Sequence, residues 1–218
     1  MKIQASLIVA AVAILMAGGV AMAPFPASPE SSIGELRASE QAAPAANAPQ
    51  ATAADAQKMA EMGPVVSPVS GTVKGQLARF SKIMVAAAEA MPTEKYGFKP
   101  SPEMNSFGHL VMHIAQTNNS LCSKISGAAA PDVKTSDSDP KDKLVAALKA
   151  SFEYCTTALQ KVDDSKLGDQ MMLFGNRPAS RAGALIFLFG SWTDHYGTEA
   201  IYLRLNGILP PTAQPPKQ

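Results

Sequence analysis

Four stretches of this chain repeat their apolar residues every three to four positions, and no stretch alternates with period two over a strand's length. This pattern restricts the fold more than any other feature, because a 3.6-residue period gives each helix one apolar stripe that must be buried against a neighbour. The first segment runs from Gly71 to Ala90, with Val73, Leu77, Phe80, Ile83, Met84 and Ala87 on its stripe, and Met91-Pro92 ends it. The second runs from Met104 to Ile125, with Phe107, Leu110, Val111, Ile114 and Leu121 on one side and Gly127 as its stop. The third runs from Pro140 to Val162; Asp139 is the expected N-cap, and Leu144, Leu148, Phe152, Cys155 and Leu159 face inward. The fourth runs from Pro178 to Asn206, with Gly207 beyond its end and Pro210-Pro211 barring continuation. Four helices with little else imply an all-α four-helix bundle. The segment from Asp163 to Arg177 is the longest connection, and a long connection can cross a bundle, so a crossover is part of the expectation.

The bundle occupies residues 70–211, and the flanks read differently. Met1-Lys2, an apolar run from Ala5 to Met16, Gly18-Gly19 and then Val20-Ala21-Met22-Ala23 have the layout of a signal peptide over residues 1–23. Cleavage after Ala23 would export the protein to the periplasm or beyond. If uncleaved, residues 5–23 approach the roughly 20 apolar residues that span a bilayer and would act as a membrane anchor. No cysteine follows the run, so a lipid anchor is not expected. Residues 24–69 are rich in Ala and Pro and poor in large apolar side chains, which predicts a disordered linker, with Ala51 to Glu61 able to form a weak helix. Residues 212–218 read as a disordered tail. The formal net charge is +1, without a cluster of Lys or Arg, which argues against an electrostatic nucleic-acid binder.

Three motifs carry a family resemblance. The run Met91-Pro92-Thr93-Glu94-Lys95-Tyr96-Gly97-Phe98-Lys99-Pro100 resembles the elbow after the first helix of DinB-like proteins. Ser106-Phe107-Gly108-His109-Leu110 followed by His113-Ile114-Ala115 is similar to the start of their second helix. His195-Tyr196-Gly197 with Tyr202-Leu203-Arg204-Leu205-Asn206-Gly207 and Pro210-Pro211 resembles their ending. The resemblance covers residues from about 72 to 211 and implies a crossed-over bundle with a divalent metal, zinc or nickel, held by three histidines. One of these matches His113. The other two lie four apart on the last helix, where positions share a face and two imidazoles can converge on one ion. His195 matches the second of that pair, but Ser191 stands at the first. Thr198 also stands where the family has Gln.

With Ser191 in place of one of the three histidines the implied site is degenerate, and the metal is expected to be absent or weakly bound. His113 and His195 are either imidazoles hydrogen-bonded inside a bundle or a two-histidine metal site. In the second case the completing groups would be His109, one turn before His113, Glu199, one turn after His195, the Ser191 hydroxyl, or water. Asp194 lies about 100° round the helix from His195 and reads as a solvated residue. Cys122 and Cys155 sit on the apolar sides of the second and third helices; an exported chain favours a disulfide between them, and two buried thiols are the alternative. Trp192, Phe187, Phe189 and the run Met171-Met172-Leu173-Phe174 are core residues by spacing, or line and cover a ligand pocket.

Two function classes follow. One is a binding or structural module that takes a small molecule or pairs with itself as a homodimer, with no assigned catalytic residue. The other, implied by the resemblance, is a metal-dependent thiol transferase or hydrolase in which His113 and His195 hold the ion. The weakened ligand set favours the first. The flank reading is tested by N-terminal sequencing of protein secreted by a bacterial host: a chain beginning at Pro24 is expected, and an intact Met1 would make the segment an anchor.

Overall fold

The computed structural model describes residues 52–215, so the expected signal peptide and residues 24–51 of the expected linker lie outside the described residues. Helix α1, Ala53–Met62, falls within the expected linker and has no buried residue. It begins with a reciprocal cap: the Thr52 hydroxyl accepts from the Asp55 amide at 3.2 Å, and the Asp55 carboxylate accepts from the Thr52 amide at 2.9 Å. Everything that positions the site belongs to the unit that begins at Lys58.

Helix α2, Pro68–Ala90, starts three residues before its periodicity does, with Pro68 at the first turn. Its Val69 and Ser70 amides would lack partners; Asp164, far along the chain, accepts from both at 2.8 Å. Helix α3, Phe107–Ser126, starts three residues later than expected, because the Ser106 hydroxyl accepts from the His109 amide and fixes the N-cap there. It ends at Gly127, whose φ of 79° permits the left-handed stop. Gly108 serves a different need: a Cβ there would lie 3.3 Å from the backbone oxygens of Tyr96 and Asp137. Helix α4 is Lys141–Leu159, shorter than expected at its end. Asp139 is not its cap. That carboxylate accepts from the Ser136 amide at 2.9 Å and pairs with Lys143 at 2.9 Å instead.

Helix α5, Arg181–Leu205, is capped by Ser180, whose hydroxyl accepts from the Gly183 amide. The expected start at Pro178 is corrected by a small antiparallel hairpin, β1 (Gln170–Met172) with β2 (Pro178–Ser180). Strands this short leave no readable alternation. Their turn has positive φ at Gly175 and Asn176, the residue types that tolerate it.

Contacts along the helices define the topology. Cys122 and Cys155 form a buried disulfide with Cα atoms 5.2 Å apart, and Asn118 donates to Ser151, so α3 and α4 run parallel. Trp192 donates to Asn118 at 2.7 Å and Tyr202 to the Asn105 carbonyl at 2.7 Å, so α5 runs antiparallel to α3. Lys141, at the start of α4, donates to the carbonyls of Glu89 and Met91 at the end of α2, while Lys74 reaches the Val162 carbonyl. Helices α2 and α5 therefore point one way, α3 and α4 the other. Two parallel neighbours in sequence need a connection that returns the length of the bundle. Residues 127–140 make it, since extended chain covers about 3.3 Å per residue against 1.5 Å in a helix. The crossover lies there rather than at Asp163–Arg177, which stays at the end where α4 stops and α5 begins. Pro211–Ala213, where the expected bundle passes into the expected tail, form a turn held by Tyr196, whose hydroxyl donates to Thr212 at 2.8 Å. Among the described residues no helix is long and apolar enough to cross a membrane.

The disulfide closes a loop of 33 residues between two core positions. Replacing both cysteines by Ala is expected to lower the unfolding free energy by about 3 to 4 kcal/mol in denaturant titrations; an unchanged midpoint would contradict this.

Candidate functional site

Helix α3 presents His109, His113, Gln116, Thr117 and Ser120 at successive turns of one face. Opposite, α5 presents Gly190, Ser191, Asp194 and His195. Between them lies a cleft of about 680 Å³, closed at one side by Phe187 and by Phe174 from the hairpin turn. Lys124 ties the hairpin to α3 through the Met172 carbonyl at 3.4 Å. A Cβ at Gly190 would meet nothing within 4 Å. Glycine inside a helix costs up to about 1 kcal/mol relative to alanine. No close packing offsets that cost here; the missing side chain leaves the cleft open.

The imidazoles of His113 and His195 meet edge to face, centroids 5.1 Å apart. His195 Nδ1 lies 3.0 Å from the Ser191 hydroxyl, and His113 Nε2 lies 3.4 Å from the Thr117 hydroxyl. Burial lowers the pKa of His195, helped by His113 and opposed by Asp194 and the Ser191 backbone. Burial and then His109 lower that of His113. Both rings are therefore neutral at pH 7, each with one donor and one acceptor nitrogen. His109 stacks over His113 with centroids 6.4 Å apart, and its Nδ1 lies 3.5 Å from the Asp137 carboxylate.

Glu199 does not join them. It is fully buried, neither carboxyl oxygen has a hydrogen-bond partner, and burial pushes its pKa well above the carboxylate range. It is held as the neutral acid. Catalytic zinc sites use three protein ligands. Among the described residues no group of three or more His, Cys, Asp or Glu side chains converges. His109 turns to Asp137, Glu199 lies in the core, and the Ser191 hydroxyl is engaged by His195. The residues present do not fit the metal site that the resemblance implies.

The structure thus brings His113, His195 and Ser191 together and leaves Glu199 out. Trp192 is a core residue, and Phe189 packs edge-on against Phe80 at 6.0 Å. Phe174 and Phe187 line the cleft. Gln116, Thr117 and Ser120 were not singled out from the sequence, although they follow His113 by three, four and seven residues and so share its face. Asp194 is exposed, as a solvated residue should be, yet it also borders the cleft.

The family model of the DinB superfamily matches residues 76–198. None of the curated proteins matches the chain. Among solved structures, a DinB-like protein of Bacillus subtilis is similar at 20% identity and a TM-score of 0.54, over 66% of this chain and 98% of that one. A DinB-like protein of Bacillus cereus is similar at 17% identity and a TM-score of 0.54, over 64% and 93%. A conserved protein of Enterococcus faecalis is similar at 16% identity and a TM-score of 0.50, over 62% and 95%. These likenesses show the fold.

Glu199 gives a pH signature. Its folded-state pKa is raised, so its contribution is most favourable below the usual carboxylate range and is lost as pH rises from there toward the folded value. Glu199→Gln is expected to raise the melting temperature at about pH 8 and to remove most of the decline between about pH 5 and pH 8. A melting temperature at pH 8 no higher than the wild type's would contradict a neutral, unpaired Glu199.

Proposed function

The chain belongs to the DinB superfamily, and from that premise we propose that it is an exported module that binds a small molecule between α3 and α5 without metal-assisted catalysis. The observation that carries this reading is the Ser191–His195 contact at 3.0 Å. Where the resemblance places a third imidazole, this chain has a neutral hydroxyl that saturates its neighbour instead of joining it on an ion. Two neutral imidazoles, hydroxyls, an amide and the bordering Asp194 carboxylate make a site that can hydrogen-bond a ligand without a metal ion. The cleft volume lies within the roughly 300–1,000 Å³ of small-molecule sites. The buried Cys122–Cys155 disulfide supports export, because such bonds persist in oxidising compartments.

Two measurements on purified, untagged chain test this. After equilibration with Zn²⁺ or Ni²⁺ and desalting, elemental analysis is expected to find well under one equivalent of either metal. One retained equivalent, lost in both His113→Ala and His195→Ala, would replace this reading with a metalloenzyme. Nile red, a neutral apolar dye, is expected to bind saturably. Gly190→Leu should abolish that binding and leave the melting temperature within a few degrees, since its side chain enters open space.

A further inference from the structure

We propose that the cleft takes an organic cation attached to a planar apolar group, such as an arylalkylammonium, in preference to a carboxylate or phosphate. This rests on the reading of the cleft as a small-molecule site and names its ligand class.

Charge is the first argument. Asp194 is the charged residue that lines the cleft, and among the described residues no Lys or Arg lines it. Lys124, farther along α3, donates to the Met172 carbonyl and lines an adjoining depression with Asn119 and Ser123. An anion taken into a partly desolvated cleft needs a cationic partner, and here it would meet a carboxylate instead. A cation meets the opposite balance.

Hydrogen-bonding capacity agrees. An ammonium group offers three donors and no acceptor. The Asp194 carboxylate, the Gln116 amide oxygen and the hydroxyl oxygens of Ser120 and Thr117 all accept.

The third argument is the aromatic rim. Phe174 and Phe187 are 42% and 49% exposed, with ring centroids 6.5 Å apart. Two exposed aromatic rings that line a cleft form an apolar surface that a bound apolar group would cover. Aromatic faces also attract cations through their quadrupole, whereas they repel anions. Charge, acceptors and rings thus select the same chemistry.

The test uses two probes of similar shape and opposite charge, 2-phenylethylamine and 3-phenylpropionate, titrated into ¹⁵N-labelled chain at pH 7.5. The amine is expected to shift the Gly190, Ser191 and Asp194 amides and to bind at least about tenfold more tightly than the acid, a preference that falls with added salt. Asp194→Asn should cut the preference to under about threefold, and Gly190→Leu should abolish both titrations. Equal or tighter binding of 3-phenylpropionate, or an undiminished preference in Asp194→Asn, overturns the ligand class. So does Nile red binding with neither probe bound, which leaves the cleft standing as a site. Failure of the dye and both probes overturns the site reading as well.

Discussion

The site depends on one buried hydrogen bond, from the Trp192 indole to the Asn118 side chain at 2.7 Å. Asn118 also donates to Ser151, so one amide joins α3, α4 and α5 in the interior. Buried polar groups are costly unless every member is satisfied, and a satisfied one permits a single alignment. Sliding α5 by one residue would break the bond and rotate the helix by about 100°. With the bond made, His113 lies five residues before Asn118 and His195 three after Trp192, on antiparallel helices, and the rings meet. The disulfide one turn beyond Asn118 fixes α3 against α4 in the same register.

That register explains why residues with apparently similar placement on α5 have opposite fates. Ser191 and His195 are four apart and face the cleft. Glu199 is four further on, and each such step rotates a helix by about 40°. After two steps Glu199 has left the cleft face. It stands seven residues from Trp192 and four from Leu203, on the stripe that is buried in the core. Burial without a partner keeps it protonated, so it is lost to the site both as a ligand and as a base. The cleft is left with neutral groups and Asp194 at its border.

The helices were legible in the sequence because each buries one face, and a 3.6-residue period survives any choice of loop. Their ends were less so. Ser106 and Ser180 cap α3 and α5 through their hydroxyls, whereas Asp139, which has the right chemistry at the right place, is drawn off by the Ser136 amide and Lys143. Local sequence cannot rank such competitors. The same holds for the crossover: length pointed to Asp163–Arg177, but the parallel pairing of α3 and α4 is a tertiary fact. His113 and His195 were picked out by the resemblance. The face they share with Gln116, Thr117 and Ser120 was readable from spacing on α3. The cleft's other wall was not, because Gly190 contributes by having no side chain and Phe174 arrives from a hairpin too short to show a pattern.

The central claim is that His113 and His195 face each other as neutral imidazoles, with Ser191 rather than a metal as the partner of His195. Long-range ¹H–¹⁵N spectra of the histidine rings, recorded across pH and then with one equivalent of Zn²⁺, address it most directly. Both rings are expected to titrate below the ordinary histidine value of about 6.5, with nitrogen shifts at pH 7.5 unmoved by the metal. Ordinary titration of both rings, or a stoichiometric move of both to metal-bound shifts, would contradict it.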